Sequence, residues 1–314
     1  MIKIRNLHIK RLSLFSVILF IILAINGCID NNPSSNEINV LVTIIPQKEM
    51  VNALGGQLVS ITTLVPEGQN PHSYEPTPSQ MIKVAKSKAY FIVGSSVDFE
   101  IVHMNTILEQ NDDLVVFDCS KDVDVVSIDE HYRQDHYDEA GVKHDPEHEG
   151  IDSHIWTSPL NYKKMAKVVY NGLIEIDPDN QEEYYSNYKE YISELDVLHD
   201  TISNMLQPYA GKSFMTYHPA WGYFSDTYNL KQIAIEDNGK QPGPAGIAAV
   251  IEQAKNELIK VIFVAPQFDV ASAETIADEI GGRVVFADPL MSNYQEAMHS
   301  LASEMLTGFQ GQTP

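Results

Sequence analysis

Short apolar blocks and helical spacings alternate along most of this chain. Runs rich in β-branched and aromatic residues occur at Val40–Ile45, Leu58–Val65, Ala89–Val93 and Leu114–Phe117. Four more lie at Ser213–Tyr217, Gln232–Ile235, Val261–Val264 and Val284–Ala287. Between them, segments such as Gln80–Lys88, Ile247–Leu258 and Ala273–Ile280 read as helices. A strand-then-helix rhythm predicts parallel sheets covered by helices on both faces, because parallel neighbours need long crossovers. The expected fold is α/β, with two lobes that each carry about four parallel strands flanked by helices.

The middle of the chain differs. Asp177-Pro178 has the form of a helix start, a capping side chain followed by proline. Tyr184, Tyr188, Tyr191, Leu195, Leu198, Ile202 and Met205 then recur at spacings of three and four, which is one apolar stripe on one helix. From Pro178 to Leu206 such a helix spans about 43 Å. Its place between two strand–helix sets makes it a stiff connector. The division is then 38–176 for the first lobe, 177–207 for the connecting helix and 208–314 for the second lobe.

The N-terminus follows neither pattern. Lys3, Arg5, Lys10 and Arg11 precede an apolar run from Leu12 to Ile25, too short to span a bilayer. Ile25-Asn26-Gly27-Cys28 resembles a lipoprotein cleavage box, although Asn26 is larger than the usual residue there. Residues 1–28 are therefore expected to be a signal peptide, with Cys28 the acylated first residue of the mature chain. Residues 29–37 form a polar tether to the first strand.

Charge narrows the partners. The 314 residues include 21 basic and 43 acidic side chains, a formal net of −22. That balance excludes nucleic acid as a partner, because phosphate backbones are gripped by Lys and Arg. It favours cations or serves solubility. Cys119 is the one cysteine left after Cys28, so no internal disulfide can form. The segment 129–150, DEHYRQDHYDEAGVKHDPEHEG, carries His131, His136, His144 and His148 among eight carboxylates. With almost no aliphatic residues it cannot build a core, and a mobile loop is expected.

The metal chemistry is carried by histidine. No H-E-x-x-H, P-loop, G-x-S-x-G or C-x-x-C motif is present. Of the eleven histidines, His8 lies in the leader, His103, His199 and His299 fall in predicted helices, and four lie in the acidic loop. His72, His154 and His218 remain, each in a loop of its own character. His72 follows a strand in Asn70-Pro71-His72-Ser73-Tyr74-Glu75-Pro76, and His218 ends one in Tyr217-His218-Pro219-Ala220-Trp221. His154 stands in Asp152-Ser153-His154-Ile155-Trp156, and Asp288 follows the last strand in Asp288-Pro289-Leu290. Ligands of open α/β sheets bind beyond the carboxyl ends of strands, so these four would meet between the lobes. Three imidazoles and a carboxylate suit tetrahedral Zn2+ rather than oxygen-seeking manganese or magnesium.

These motifs, together with Pro266-Gln267-Phe268, resemble the zinc/manganese class of ABC-transporter solute-binding lipoproteins, nearest to its zinc-uptake branch. The resemblance covers roughly residues 38–312. It implies two α/β lobes bridged by a long helix, and metal ligation at His72, His154 and His218. It also implies that Asp288, water or another group completes the shell. Manganese-type members usually carry a carboxylate where His218 stands, so zinc is expected. The 129–150 segment resembles the His- and acid-rich insertion of zinc members, although it is modest in length.

The expected protein is not an enzyme. It is a monomer, anchored by lipid to the outer face of the cytoplasmic membrane, that captures one Zn2+ and delivers it to a membrane permease. Affinity should fall as the imidazoles protonate below about pH 6. The loop histidines would form a weak secondary collector. The alternatives are a manganese-binding relative, a metal-dependent adhesin and, further off, a secreted zinc hydrolase with Glu75 as base.

Overall fold

The computed structural model describes residues 37–127, 150–236, 240–268 and 270–312. The leader with Cys28, nearly all of the tether, and His131, His136, His144 and His148 lie outside the described residues. Among the described residues no helix is long and apolar enough to cross a membrane.

All eight expected strands form. The first sheet comprises β1 (Ile38–Val42), β2 (Val59–Thr63), β3 (Ala89–Ile92) and β4 (Val115–Asp118), in the order β2-β1-β3-β4. The second comprises β5 (Ser213–Thr216), β6 (Lys231–Ala234), β7 (Val261–Val264) and β8 (Arg283–Phe286), in the order β6-β5-β7-β8. Every pair is parallel, and the two sheets repeat one topology. The first strand departs from expectation by stopping at Val42 instead of Ile45. The Gln47 side-chain oxygen accepts from the backbone N–H of Thr43 at 3.0 Å and of Ile44 at 3.3 Å. That capture turns the chain into helix α1 (Ile45–Gly55), whose first turn holds Pro46, where a missing N–H costs nothing.

Helices α2 (Pro78–Val84) and α3 (Asp98–Gln110) complete the first half. Helix α4 (Pro159–Ile176) leads into the connector, which begins as a single 3-10 turn at Pro178–Asn180 and continues as α5 (Gln181–Leu206). The turn is held by Asp177, whose Oδ2 accepts from Asn180 Nδ2 at 2.7 Å and from the Tyr184 hydroxyl at 2.6 Å. The expected stripe of α5 faces inward, with Tyr184, Tyr191, Leu195, Leu198 and Ile202 buried. The second half adds α6 (Gly222–Tyr228), α7 (Pro244–Asn256), α8 (Val270–Ile280) and α9 (Tyr294–Gln310).

The hydrophobic core is not divided between the halves. One cluster runs from Val40 and Phe91 of the first sheet through α4 and α5 to Phe214, Phe263 and Tyr294 of the second half. A smaller cluster, including Met215, Ile262 and Ile276, lies against the second sheet alone. At the junction Tyr162 and Tyr294 stack at 3.7 Å between ring centres, nearly parallel. Their hydroxyls donate to the carbonyls of Pro46 and Trp156, at 2.7 and 2.8 Å. Trp156 Nε1 donates to the Pro289 carbonyl at 2.7 Å. Large rings bury the apolar surface while each polar tip finds an acceptor, which makes this a stable floor beneath the cleft.

Candidate metal centre

His72 and His218 lie beyond the carboxyl ends of β2 and β5, one strand in each sheet, and His154 lies in the segment that enters α4. His72 lies in the connection between β2 and α2, where Asn70 Oδ1 accepts the His72 backbone N–H at 2.9 Å in an Asx-type turn. His154 precedes a 3-10 turn at Ile155–Thr157, which runs into α4. Asp152 fixes it twice, one carboxylate oxygen meeting the His154 backbone N–H at 2.9 Å and Nδ1 at 2.8 Å. His218 follows β5, and its ring stacks on Phe268 at 4.5 Å between centres.

The three imidazoles converge. Each offers a nitrogen, and these nitrogens all lie within 4.8 Å of one another. The Nε2 atoms of His154 and His218 are 3.3 Å apart. Two Zn–N bonds of about 2.05 Å at the tetrahedral angle span about 3.3 Å, so this pair already has the edge length of a zinc tetrahedron. His72 stands further off, its ring centre 6.1 Å from that of His154 and 5.4 Å from that of His218. The space between them is about 20 Å3, lined by the imidazoles with Trp156, Gln267 and Phe268 among others. That is room for a water-sized occupant. His103 and His199 lie elsewhere, against the Tyr74 carbonyl and the Tyr228 hydroxyl.

Each imidazole is oriented by its own carboxylate. Asp98 meets Nδ1 of His72 at 2.5 Å, Asp152 that of His154 at 2.8 Å, and Glu236 that of His218 at 2.6 Å. With Nδ1–H donating to a carboxylate, the Nε2 lone pair is the one left for a metal. Burial lowers the His218 pKa, and the neighbouring His154 and His72 push it the same way, against the opposing pull of Glu236. The ring is therefore held neutral, which is the form that ligates. The three pairs differ in exposure: Asp98 is 53% exposed, Asp152 1% and Glu236 4%. Water screens the first far more than the others. Asp152→Asn and Glu236→Gln should each weaken zinc binding by about 10- to 100-fold, and Asp98→Asn by less. Competition with a chromogenic chelator measures the order, and equal losses at all three would reject it.

A strained turn supports the His72 side. Gly94, Ser95 and Ser96 all have positive φ, at 76°, 47° and 63°. At Gly94 an added Cβ would fall 2.1 Å from an Asp118 oxygen, so glycine is required there. The turn starts α3, which carries Asp98, and Ser95 donates its hydroxyl to the Ser153 carbonyl beside His154 at 2.9 Å. Buried Glu100 holds the turn, accepting from Val93 N at 2.7 Å, Gly94 N at 2.9 Å and the Thr43 hydroxyl. Burial pushes the Glu100 carboxyl up to about 7, although those three donors pull it down. The folded state then binds the proton more tightly than the unfolded chain. Stability should decline as pH rises from about 4.5 towards 7 and stay level above. Glu100→Gln removes this dependence. It should unfold more easily than the parent at pH 5, and the gap should shrink by up to about 3 kcal/mol at pH 8. Urea denaturation at the two pH values checks this, and a constant gap would rule it out.

Asp288 does not join the converging donors. The group of potential ligands among the described residues contains the three histidines alone. Asp288 accepts from Leu290 N at 2.8 Å and from Gln267 Nε2 at 3.2 and 3.0 Å, one contact to each oxygen. Burial raises its pKa, countered by those donors. Sequence reasoning did not assign Asp98, Asp152, Glu236 or Gln267 a role. Asp152 carried a signal, standing two residues before His154, and Gln267 lay within a motif already noted. Asp98 and Glu236 carried none, because the turn and the sheet bring them in from 26 and 18 residues away.

Known proteins share this architecture. A family model described as zinc-uptake complex component A, periplasmic, matches residues 40–308. The high-affinity zinc uptake system protein ZnuA of Bacillus subtilis strain 168 is 27% identical over 250 residues, covering 79% of this chain and 77% of that protein. The zinc-binding lipoprotein AdcA of Streptococcus pneumoniae serotype 4 is 24% identical over 273 residues, 86% of this chain, which spans about half (53%) of AdcA. A crystal structure of ZnuA is similar with a TM-score of 0.78 at 29% identity, over 87% of this chain and 99% of that one. The family match runs from the first strand into the last helix, and the chain belongs to the zinc-uptake complex component A (ZnuA) family.

Proposed function

We propose that this protein is the extracytoplasmic zinc-binding component of an ATP-driven metal importer, taking one Zn2+ on His72, His154 and His218 and passing it to a membrane permease. The observation that carries the reading is the convergence of three imidazoles, each of which meets a carboxylate through Nδ1. Nitrogen donors favour zinc over manganese, and an already assembled pair of ligands lowers the ordering cost of capture. The net charge of −22 favours cation approach.

The role is capture, burial and delivery, without reaction. A zinc hydrolase needs an open position with a free general base beside it. Asp98, Asp152 and Glu236 are occupied on imidazoles, and Asp288 is held by Gln267 and Leu290. The three histidines leave a fourth metal position to be filled from outside the group. The chain acts as a monomer held by a lipid on Cys28. The histidines at 131, 136, 144 and 148 supply weak additional sites. Ser127 and Ile151 pair antiparallel across the base of that segment, so removing 129–150 need not displace His154.

The test is metal analysis of protein purified without added metal. One zinc per chain is expected, retained when 129–150 is deleted. Manganese at full occupancy in its place, or loss of the tight site with the deletion, would reject the corresponding part. Cys28→Ser should move the protein from the membrane to the soluble fraction, and unchanged membrane association would reject the anchor.

A further inference from the structure

Gln267 follows β7 and lines the cavity beside the imidazoles. Its side-chain amide is divided between two surroundings. Nε2 donates to both oxygens of Asp288, at 3.2 and 3.0 Å. Oε1 is buried without a partner among the described residues. Turning the amide over gives no relief, because Oε1 would then face the Asp288 carboxylate, acceptor against acceptor. A buried acceptor left without a donor is unfavourable, and since Gln267 lines the cavity, the donor is expected from what fills it. The space of about 20 Å3 is large enough to hold a water.

We propose that Gln267 chooses the fourth zinc ligand: it holds Asp288 away from the metal and accepts a hydrogen bond from a metal-bound water in its place. The inference rests on the reading of His72, His154 and His218 as zinc ligands. Zinc with three protein ligands readily keeps water in the fourth position, and an amide oxygen is a poor substitute for it. A water bound to Zn2+ is a strong donor, and Oε1 supplies the acceptor. Gln267 is thus a positioning residue with two effects from one amide. A water also leaves the ion more easily than a carboxylate would, which suits a cargo that must be given up.

The test is a double-mutant cycle with cobalt(II) as spectroscopic probe. Asp288→Asn keeps an acceptor for Gln267, so alone it should change zinc affinity by less than about threefold. Gln267→Leu frees the carboxylate, and in that background Asp288→Asn should cost about tenfold or more. The visible bands of the cobalt protein should shift in Gln267→Leu and return towards the parent when Asp288→Asn is added. A merely structural role for Gln267 would not link the spectrum to Asp288. Gln267→Met provides the same reading should the leucine variant fail to fold. A tenfold loss from Asp288→Asn alone, or a Gln267→Leu spectrum identical to the parent, overturns the proposal. His218→Ala separates the two levels: zinc affinity there within about threefold of the parent overturns the metal site itself, whereas loss there with no coupling in the cycle overturns only the role of Gln267.

Discussion

Replacing His218 with alanine should reduce zinc affinity by two to three orders of magnitude, about 3–4 kcal/mol, the share of one ligand in a four-ligand zinc site. Two features put this loss at the upper end. His218 forms the 3.3 Å pair with His154, the most nearly assembled part of the site. Its removal also takes from Glu236, 4% exposed, the imidazole it meets at 2.6 Å. A buried carboxylate stripped of its hydrogen bond is costly in itself, so the metal-free variant should also melt lower. His72→Ala removes a ligand of equal chemistry but strands the half-exposed Asp98, which water can satisfy. Its metal-free stability should change little. Chelator competition together with metal-free melting separates ligand loss from structural loss. Zinc affinity within about threefold of the parent in His218→Ala would sink the site.

The second large effect is expected in the core beneath the cleft. Tyr294→Ala should cost about 3–5 kcal/mol of folding stability, as expected for deletion of a large buried ring. Tyr294 has no exposed surface and stacks on Tyr162 at 3.7 Å. Its hydroxyl donates to the Trp156 carbonyl, and its backbone N–H to Glu49 at 2.5 Å. Tyr294→Phe keeps the ring and should cost about 1–2 kcal/mol for the lost hydrogen bond. Because Trp156 and Pro289 sit on this contact and border the cavity, the alanine variant should also bind zinc less tightly at temperatures where it remains folded. Urea denaturation gives the first quantity. A loss under about 1 kcal/mol would mean that the shared core does not couple the two halves.

The regular architecture was readable because local pattern determines it. Eight short apolar runs between helical stretches correspond to eight parallel strands, and the tyrosine–leucine stripe of 184–202 corresponds to the buried face of α5. Strand ends were readable only where composition changes sharply. At Val42 the apolar run continues to Ile45, but the Gln47 side chain breaks the strand, a contact that no window average registers. The separation into two lobes was an expectation from the order of elements. In the fold, a common core through Tyr162, Tyr191 and Tyr294 runs beneath both sheets, because α9 returns from the end of the chain to pack on α5.

The same boundary divides the metal centre. That three histidines would be brought together was legible, since His72 and His218 stand just beyond strands, where parallel α/β sheets present their ligands, and His154 opens the turn into α4. Their donor types alone pointed to zinc. What the tertiary structure alone decided is the quality of the site: which imidazoles already meet, which carboxylate each Nδ1 faces, and which donors hold Asp288. Those properties depend on Asp98, Glu236 and Gln267, which folding brings to the cleft across the sheets. A side chain's type is written locally, whereas its partner, burial and tautomer arise from contacts between segments distant in the chain, and only folding sets those contacts.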